Sequence, residues 1–212
     1  MLELVDVSLA TPSRTLVRGL SARVGAGEVL AVMGESGSGK SSLLAFVCGT
    51  LAPGLRAGGS VRLDGADLGA LPTVRRRVGI LFQDDLLFPH LSVRGNLLFA
   101  LPAGPKARRV AEADAALAHA GLATLAEAMP HTLSGGQRAR VSVLRALLAQ
   151  PRALLLDEPF SKLDAALRAR FRGFVFEQLR AQGIPALLVT HDPQDVPEGA
   201  RVLQLDPPAD DA

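Results

Sequence analysis

The stretch Gly34-Glu35-Ser36-Gly37-Ser38-Gly39-Lys40-Ser41 constrains this chain more than any other. It reads as G-x-x-x-x-G-K-[ST], a loop built to surround phosphate. Val29-Leu-Ala-Val-Met33 lies just before it, an apolar run with the length of a buried strand. Ser42-Leu43-Leu44-Ala45-Phe46-Val47 lies just after it, where a helix should begin. That strand–loop–helix setting is what the motif needs. The glycines let the backbone curl so that successive N–H groups point at phosphate oxygens. The following helix adds its positive N-terminal end. Lys40 supplies a point charge for the β- and γ-phosphates, and the Ser41 hydroxyl can ligate Mg²⁺. Only Lys40, Lys106 and Lys162 are lysines among 23 basic residues, so a lysine at this place looks selected over arginine.

A second pattern has the same chemistry. Leu154-Leu155-Leu156-Asp157-Glu158 is an apolar strand ending in two carboxylates. Functional groups of open α/β sheets gather outside the carboxyl ends of strands. Neighbouring strand residues point to opposite sides, so the two acids should have different tasks. Asp157 is placed to hold Mg²⁺, and Glu158 to polarise an attacking water. A third stretch, Leu133-Ser134-Gly135-Gly136-Gln137, offers a good N-cap at Ser134 and a capping-box partner at Gln137, before a helix expected over Arg138–Ala149. Two glycines, a hydroxyl and a helix N-terminus again suit an anion. A second phosphate site this far along the chain is hard to use within one subunit.

The spacing of elements gives the fold class. Strand-like runs at Leu2–Leu9, Leu20–Val24, Ser60–Leu63 and Val78–Phe82 precede an alanine-rich helical block from about Ser92 to Ala149. Pro53-Gly54 and Gly58-Gly59 mark a loop, and Asp64-Gly65 a hairpin turn. Val110, Ala113, Leu117 and Ala120 recur at helical spacing. From Arg152 onward strands and helices alternate again: Ala153–Leu156, a helix at Ala165–Gln182, and Ala186–Thr190. Alternation of this kind implies an α/β fold with a mostly parallel sheet. The expectation is a single P-loop NTPase domain with an antiparallel β portion. Its core would be residues 1–82 and 151–206, with an inserted helical subdomain at about 83–150 and a frayed tail at 207–212.

The composition narrows the class. A net charge of +2 over 212 residues gives no argument for nucleic acid or an anionic membrane. The single cysteine, Cys48, allows no internal disulfide and reads as core. No apolar run approaches the ~18 residues of a membrane span, and the N-terminus lacks the layout of a signal peptide. A cytoplasmic protein that meets the membrane through a partner is expected.

With these residues in order, the sequence resembles the ATP-binding subunits of ABC transporters over nearly its whole length. Leu133–Gln137 is identical to that family's LSGGQ signature. The resemblance implies a head-to-tail dimer of two copies sandwiching two ATP molecules, with Leu133, Ser134, Gly135, Gly136 and Gln137 of one copy closing on the nucleotide held by Gly34 to Ser42 of the other. It implies that Gln83 contacts Mg²⁺ and the water, and that His191 senses the γ-phosphate. Ser161-Lys162-Leu163-Asp164 would be the loop that communicates across the dimer. Within the family, the segment Phe82–Val93 looks like importers served by an extracytoplasmic solute-binding protein and a separate permease, which would hold this subunit at the inner face of the membrane. An exporter or lipoprotein-release ATPase, or a soluble ABC protein outside transport, remains the alternative. Leu86, Leu87 and Phe88 would either dock a permease helix or belong to the core. Two departures stand out. Lys162 replaces the family's usual alanine, and Thr11 falls where an aromatic ring usually covers adenine.

Overall fold

The computed structural model describes residues 1–161, 163–205 and 209–210. Lys162 of the expected 161–164 loop, and residues 207, 208, 211 and 212 of the expected tail, lie outside the described residues. Residues 209 and 210, expected to fray, form a short strand instead.

The chain divides into two compact units. The first comprises Met1–Ile80, Arg152–Glu158 and Phe176–Ala212. It carries two five-stranded sheets. One is antiparallel and contains β1 (Leu2–Ala10), β2 (Arg14–Val24), β4 (Arg56–Leu63), β5 (Ala66–Asp67) and β10 (Ala209–Asp210) in the order β10-β2-β1-β4-β5. The other runs β6-β7-β8-β3-β9, from β3 (Val29–Met33), β6 (Val78–Leu81), β7 (Ala153–Asp157), β8 (Ala186–Val189) and β9 (Arg201–Gln204). Strand β3 pairs in parallel with β8 and β9, and β7 pairs in parallel with β8. The first four residues of β7 and all of β8 are buried, as expected of unbroken apolar runs covered on both faces. Helix α1 (Lys40–Cys48) joins both sheets in one apolar core. Leu4 and Leu9 of β1, Leu43 and Val47 of α1, and Leu155 and Leu187 of the parallel sheet meet there. Cys48 is buried in that core, and burial pushes its thiol pKa up.

The sequence reading of Gly58-Gly59 as loop is wrong. Both lie inside β4, opposite β1, where the register slips between Val5 and Ser8. Gly59 has φ +82, and a Cβ there would stand 2.3 Å from the Asp6 carbonyl oxygen. The glycine allows a β-bulge, not a turn. Likewise β2 begins at Arg14, well before Leu20, because pairing with β1 continues to Thr15.

The second unit comprises Leu81–Pro151 and Pro159–Val175. It holds α3 (Val93–Ala100), α4 (Lys106–His119) and α5 (Gly135–Leu148), with part of α6 (Ala165–Gln182). Its own core includes Val93, Leu97, Ala113, Leu117, Val141 and Leu144. The short α2 (Thr73–Arg76), in the first unit, was not foreseen; its Arg76 caps the end of α1 through the Phe46 and Val47 carbonyls.

Candidate nucleotide site

The site of the first unit is built at the carboxyl ends of β3, β7 and β8. Between β3 and α1 the loop tightens until Gly39, with φ +94, caps the helix. A Cβ at Gly39 would lie 2.9 Å from Leu16 Cβ, so only glycine fits. The helix starts at Lys40, two residues before the sequence suggested, because Leu43 N already donates to Gly39 O at 2.8 Å. Lys40 and Ser41 therefore sit in the first turn, where backbone amides have no intrahelical acceptor. Lys40 is buried, and its Nζ donates to Gly34 O and Glu35 O, both at 2.7 Å.

The loop residues Gly34, Glu35, Ser36, Gly37, Gly39, Lys40, Ser41 and Ser42 line a cavity of about 900 Å³ together with Glu158 and His191. Ser38 does not reach its wall, but its Oγ is fully buried with no hydrogen-bond partner. A buried hydroxyl without a partner is rare and calls for one. The first-turn amides, the buried Lys40 ammonium and the loop that lines the cavity fit a chain of phosphates.

The Ser41 hydroxyl donates to Asp157 Oδ1 at 3.4 Å. Two oxygens side by side on one Mg²⁺, each about 2.0–2.1 Å from it, stand about 3 Å apart, so a small inward shift suits this pair to that ion. Burial raises the Asp157 pKa most; Ser41 opposes this, Glu158 adds to it and Lys40 opposes it. A desolvated carboxylate beside a second acid fits a bound cation.

Glu158 lies just beyond β7 at φ +46. Its N–H donates to Val189 O at 3.0 Å. Left-handed backbone disfavours any residue with a Cβ by about 1–2 kcal/mol, and here it turns the side chain out of strand alternation into the cavity. His191 Nδ1 stands 3.1 Å from Glu158 Oε1. Behind it, buried Asp195 accepts from the Thr190 hydroxyl at 2.9 Å. Neither the Glu158 conformation nor the Asp195 contact has a local sequence signature.

The cavity is further lined by Thr11, Arg14, Leu16 and Leu55, with Leu16 packed close to Gly39. None of these four is aromatic. Leu16 and Leu55 were not foreseen. Thr11 is committed elsewhere, since its Oγ1 donates to Arg14 O and accepts from the Ser13 and Arg14 amides.

The other sequence-predicted residues lie in the second unit. Ser134 and Gln137 form the foreseen capping box, with Gln137 N donating to Ser134 Oγ at 3.3 Å and Ser134 N to Gln137 Oε1 at 2.8 Å. Helix α5 begins at Gly135, not Arg138, so Gly135 and Gly136 form its first turn. Leu133 and Gly136 are buried, while Ser134 and Gly135 are exposed. Gln83 is exposed. Asp164 Oδ1 accepts from Leu167 N at 3.0 Å and so caps α6; Ser161 is half-buried. The Leu86–Phe88 segment divides: Leu86 is 55% exposed, Leu87 is buried and Phe88 is half-buried.

The family described as ABC transporter matches residues 17–161. The chain is 51% identical over 207 residues to the uncharacterized ABC transporter ATP-binding protein YnjD of Escherichia coli strain K12, covering 97% of this chain and 95% of that one. It is 48% identical over 176 residues to the thiamine import ATP-binding protein ThiQ of Cereibacter sphaeroides, covering 80% and 73%. It is 36% identical over 197 residues to the putrescine transport ATP-binding protein PotG of E. coli K12, covering 92% of this chain and 52% of that protein.

Proposed function

The chain belongs to the ABC transporter family, and from that premise we propose that it is the subunit that hydrolyses MgATP to drive solute uptake through a separate integral membrane permease. The observation that carries the reading is one cavity walled by the 34–42 loop, Glu158 and His191, with the Ser41–Asp157 pair beside it. Lys40 and the loop amides hold the phosphates. Ser41 and Asp157 would hold Mg²⁺, which would supply positive charge against the phosphates. Glu158 orients the attacking water and takes its proton as the new P–O bond forms and the bridging P–O bond breaks. His191 fixes the Glu158 carboxylate through the 3.1 Å contact. The family resemblance implies that Gln83 would add a contact to Mg²⁺ and the water.

The exposed turn at Ser134-Gly135 suits an anion held by another molecule. As the family resemblance implies, the assembly is a head-to-tail pair of copies, with residues 133–137 of each closing on the nucleotide of its partner. The import name of the thiamine relative favours uptake, with an extracytoplasmic solute-binding protein as a further partner. No described helix is long and apolar enough to cross a membrane. The subunit is placed in the cytoplasm, on the inner membrane face, by its permease.

The test is phosphate release from MgATP by the purified chain, alone and with the polytopic membrane protein that copurifies with it. Release that Lys40→Ala abolishes supports the reading. Release untouched by Lys40→Ala, or none in either preparation, overturns it. Copurification of a solute-binding protein supports uptake, and copurification with an exporter-type membrane protein alone overturns that part.

A further inference from the structure

The segment between β6 and α3 is not held by regular backbone pairing. Its backbone groups are held by side chains from two helices. On α3, fully buried Asn96 accepts from Phe88 N at 2.8 Å and donates to the carbonyls of Phe88, Leu91 and Ser92. On α5, Arg138, Ser142 and Arg145 share one face at helical spacing. Arg138 Nε pairs with Asp85 Oδ2 at 2.9 Å, and Ser142 Oγ donates to Asp85 O at 2.9 Å. Arg145 donates to Asp85 O at 3.2 Å and Leu86 O at 2.8 Å, with its guanidinium 5.4 Å from the centre of the Phe88 ring. Leu86 needs this grip. It sits at φ +45, a region that leucine disfavours, and its side chain gains little from burial.

Arg138 has a second contact. Its Nη1 donates to Leu133 O at 2.6 Å. One guanidinium thus ties the first residue of the Leu133–Gln137 turn to Asp85, two residues beyond Gln83. Gln83, Asp85, Gly135, Arg138 and Ser142 also share the wall of one cavity of about 200 Å³. Arg138 and Asp85 are each about one-third exposed, so their charges alone contribute little. Geometry matters more: the Asp85 side chain and carbonyl are held at once from the same helix face.

We infer that Arg138 and Asp85 form a latch that makes the placement of Gln83 depend on how the 133–137 turn is seated, and are therefore positioning residues for hydrolysis. The inference rests on the reading of Gln83 as a contact to Mg²⁺ and the attacking water. The latch would let closure of the 133–137 turn on a nucleotide be felt at Gln83.

The test uses the full chain and steady-state MgATP hydrolysis. Arg138→Met and Asp85→Ala should each lower kcat roughly two- to thirtyfold, with KM for ATP changed less than about twofold. Arg138→Lys, which keeps one of the two contacts, should recover part of the loss. In a Gln83→Ala background, neither substitution should lower kcat further. Wild-type kcat in Arg138→Met beside a slowed Gln83→Ala overturns the latch alone. Losses that add in full to that of Gln83→Ala also overturn it, because the residues then act by another route. Wild-type kcat in Gln83→Ala overturns the reading of Gln83 on which the latch rests.

Discussion

The cavity wall that should receive the base gives a quantitative prediction about nucleotide choice. Thr11, Arg14, Leu16 and Leu55 form that wall, and no ring lies among them. The Thr11 hydroxyl already serves its own turn, so it is not free to read a base edge. The group left to cover the base is the Arg14 guanidinium, which can stack on any base. Stacking is worth about 1–3 kcal/mol per base, and an exposed side chain such as Arg14 falls at the low end. Arg14→Ala should therefore weaken ATP by about 1 kcal/mol, roughly fivefold, and GTP by the same factor. The phosphates, gripped by Lys40 and the loop, supply most of the affinity, so wild-type preference for ATP over GTP should stay below about tenfold.

Thr11→Tyr supplies the missing ring. It also removes the four turn bonds of the Thr11 hydroxyl, each worth about 0.5–1.5 kcal/mol net and least where exposed. Part of the stacking gain is offset by a looser turn. The net effect should be ATP binding about two- to fivefold tighter, with a slightly lower Tm and unchanged kcat. Isothermal titration of both nucleotides against wild type, Arg14→Ala and Thr11→Tyr measures all of this, in a chain with no Trp or Tyr to report by fluorescence. A wild-type preference for ATP well above tenfold, or equal affinities in wild type and Arg14→Ala, would refute the argument.

Three further outcomes are expected. Glu158→Gln should bind ATP yet hydrolyse it about 10²–10⁴ times more slowly and accumulate as an ATP-bound dimer in size-exclusion chromatography, and normal turnover would remove Glu158 from its role. Lys40→Ala mixed with Gly135→Asp, each inactive alone, should regain activity through heterodimers with one intact composite site; a mixture that stays silent, with no crosslink between chains from Ser36→Cys, an exposed loop position, to Ser134→Cys, counts against the head-to-tail pair. Gly135 suits this test better than Gly136, since a Cβ at Gly136 would lie 2.0 Å from Leu167 Cδ2 and disturb its own unit, whereas at Gly135 only Arg138 Nη2 comes near, at 3.9 Å. Gly59→Ala should lower Tm by roughly 2–8 °C, from about 1–2 kcal/mol of left-handed backbone strain before any clash with Asp6 O, and an unchanged Tm in differential scanning calorimetry would mean that the bulge relaxes freely.

What the sequence determined was whatever is held by bonds between near neighbours. The strand β3, its glycine loop and α1 follow one another without a break, so their motif is visible in the linear chain. The capping box at Ser134 and Gln137 spans three residues and was legible for the same reason. The apolar runs of β7 and β8 carry their burial in their composition. The tertiary structure decided what depends on strand order. Ser41 meets Asp157 across 116 residues because β8 lies between β3 and β7 and all run in parallel, which brings their carboxyl ends to one edge. The same order sets His191, after β8, beside Glu158, after β7. Gly58-Gly59 looked like a loop because a glycine pair has the same local preferences in a turn and in a bulge; pairing with β1 chose the bulge. Leu86 and Leu87 are the same residue type side by side, yet one is exposed and the other buried. Side chains from α5 and α3 fix that backbone, and no local pattern at Leu86 or Leu87 encodes where those helices stand.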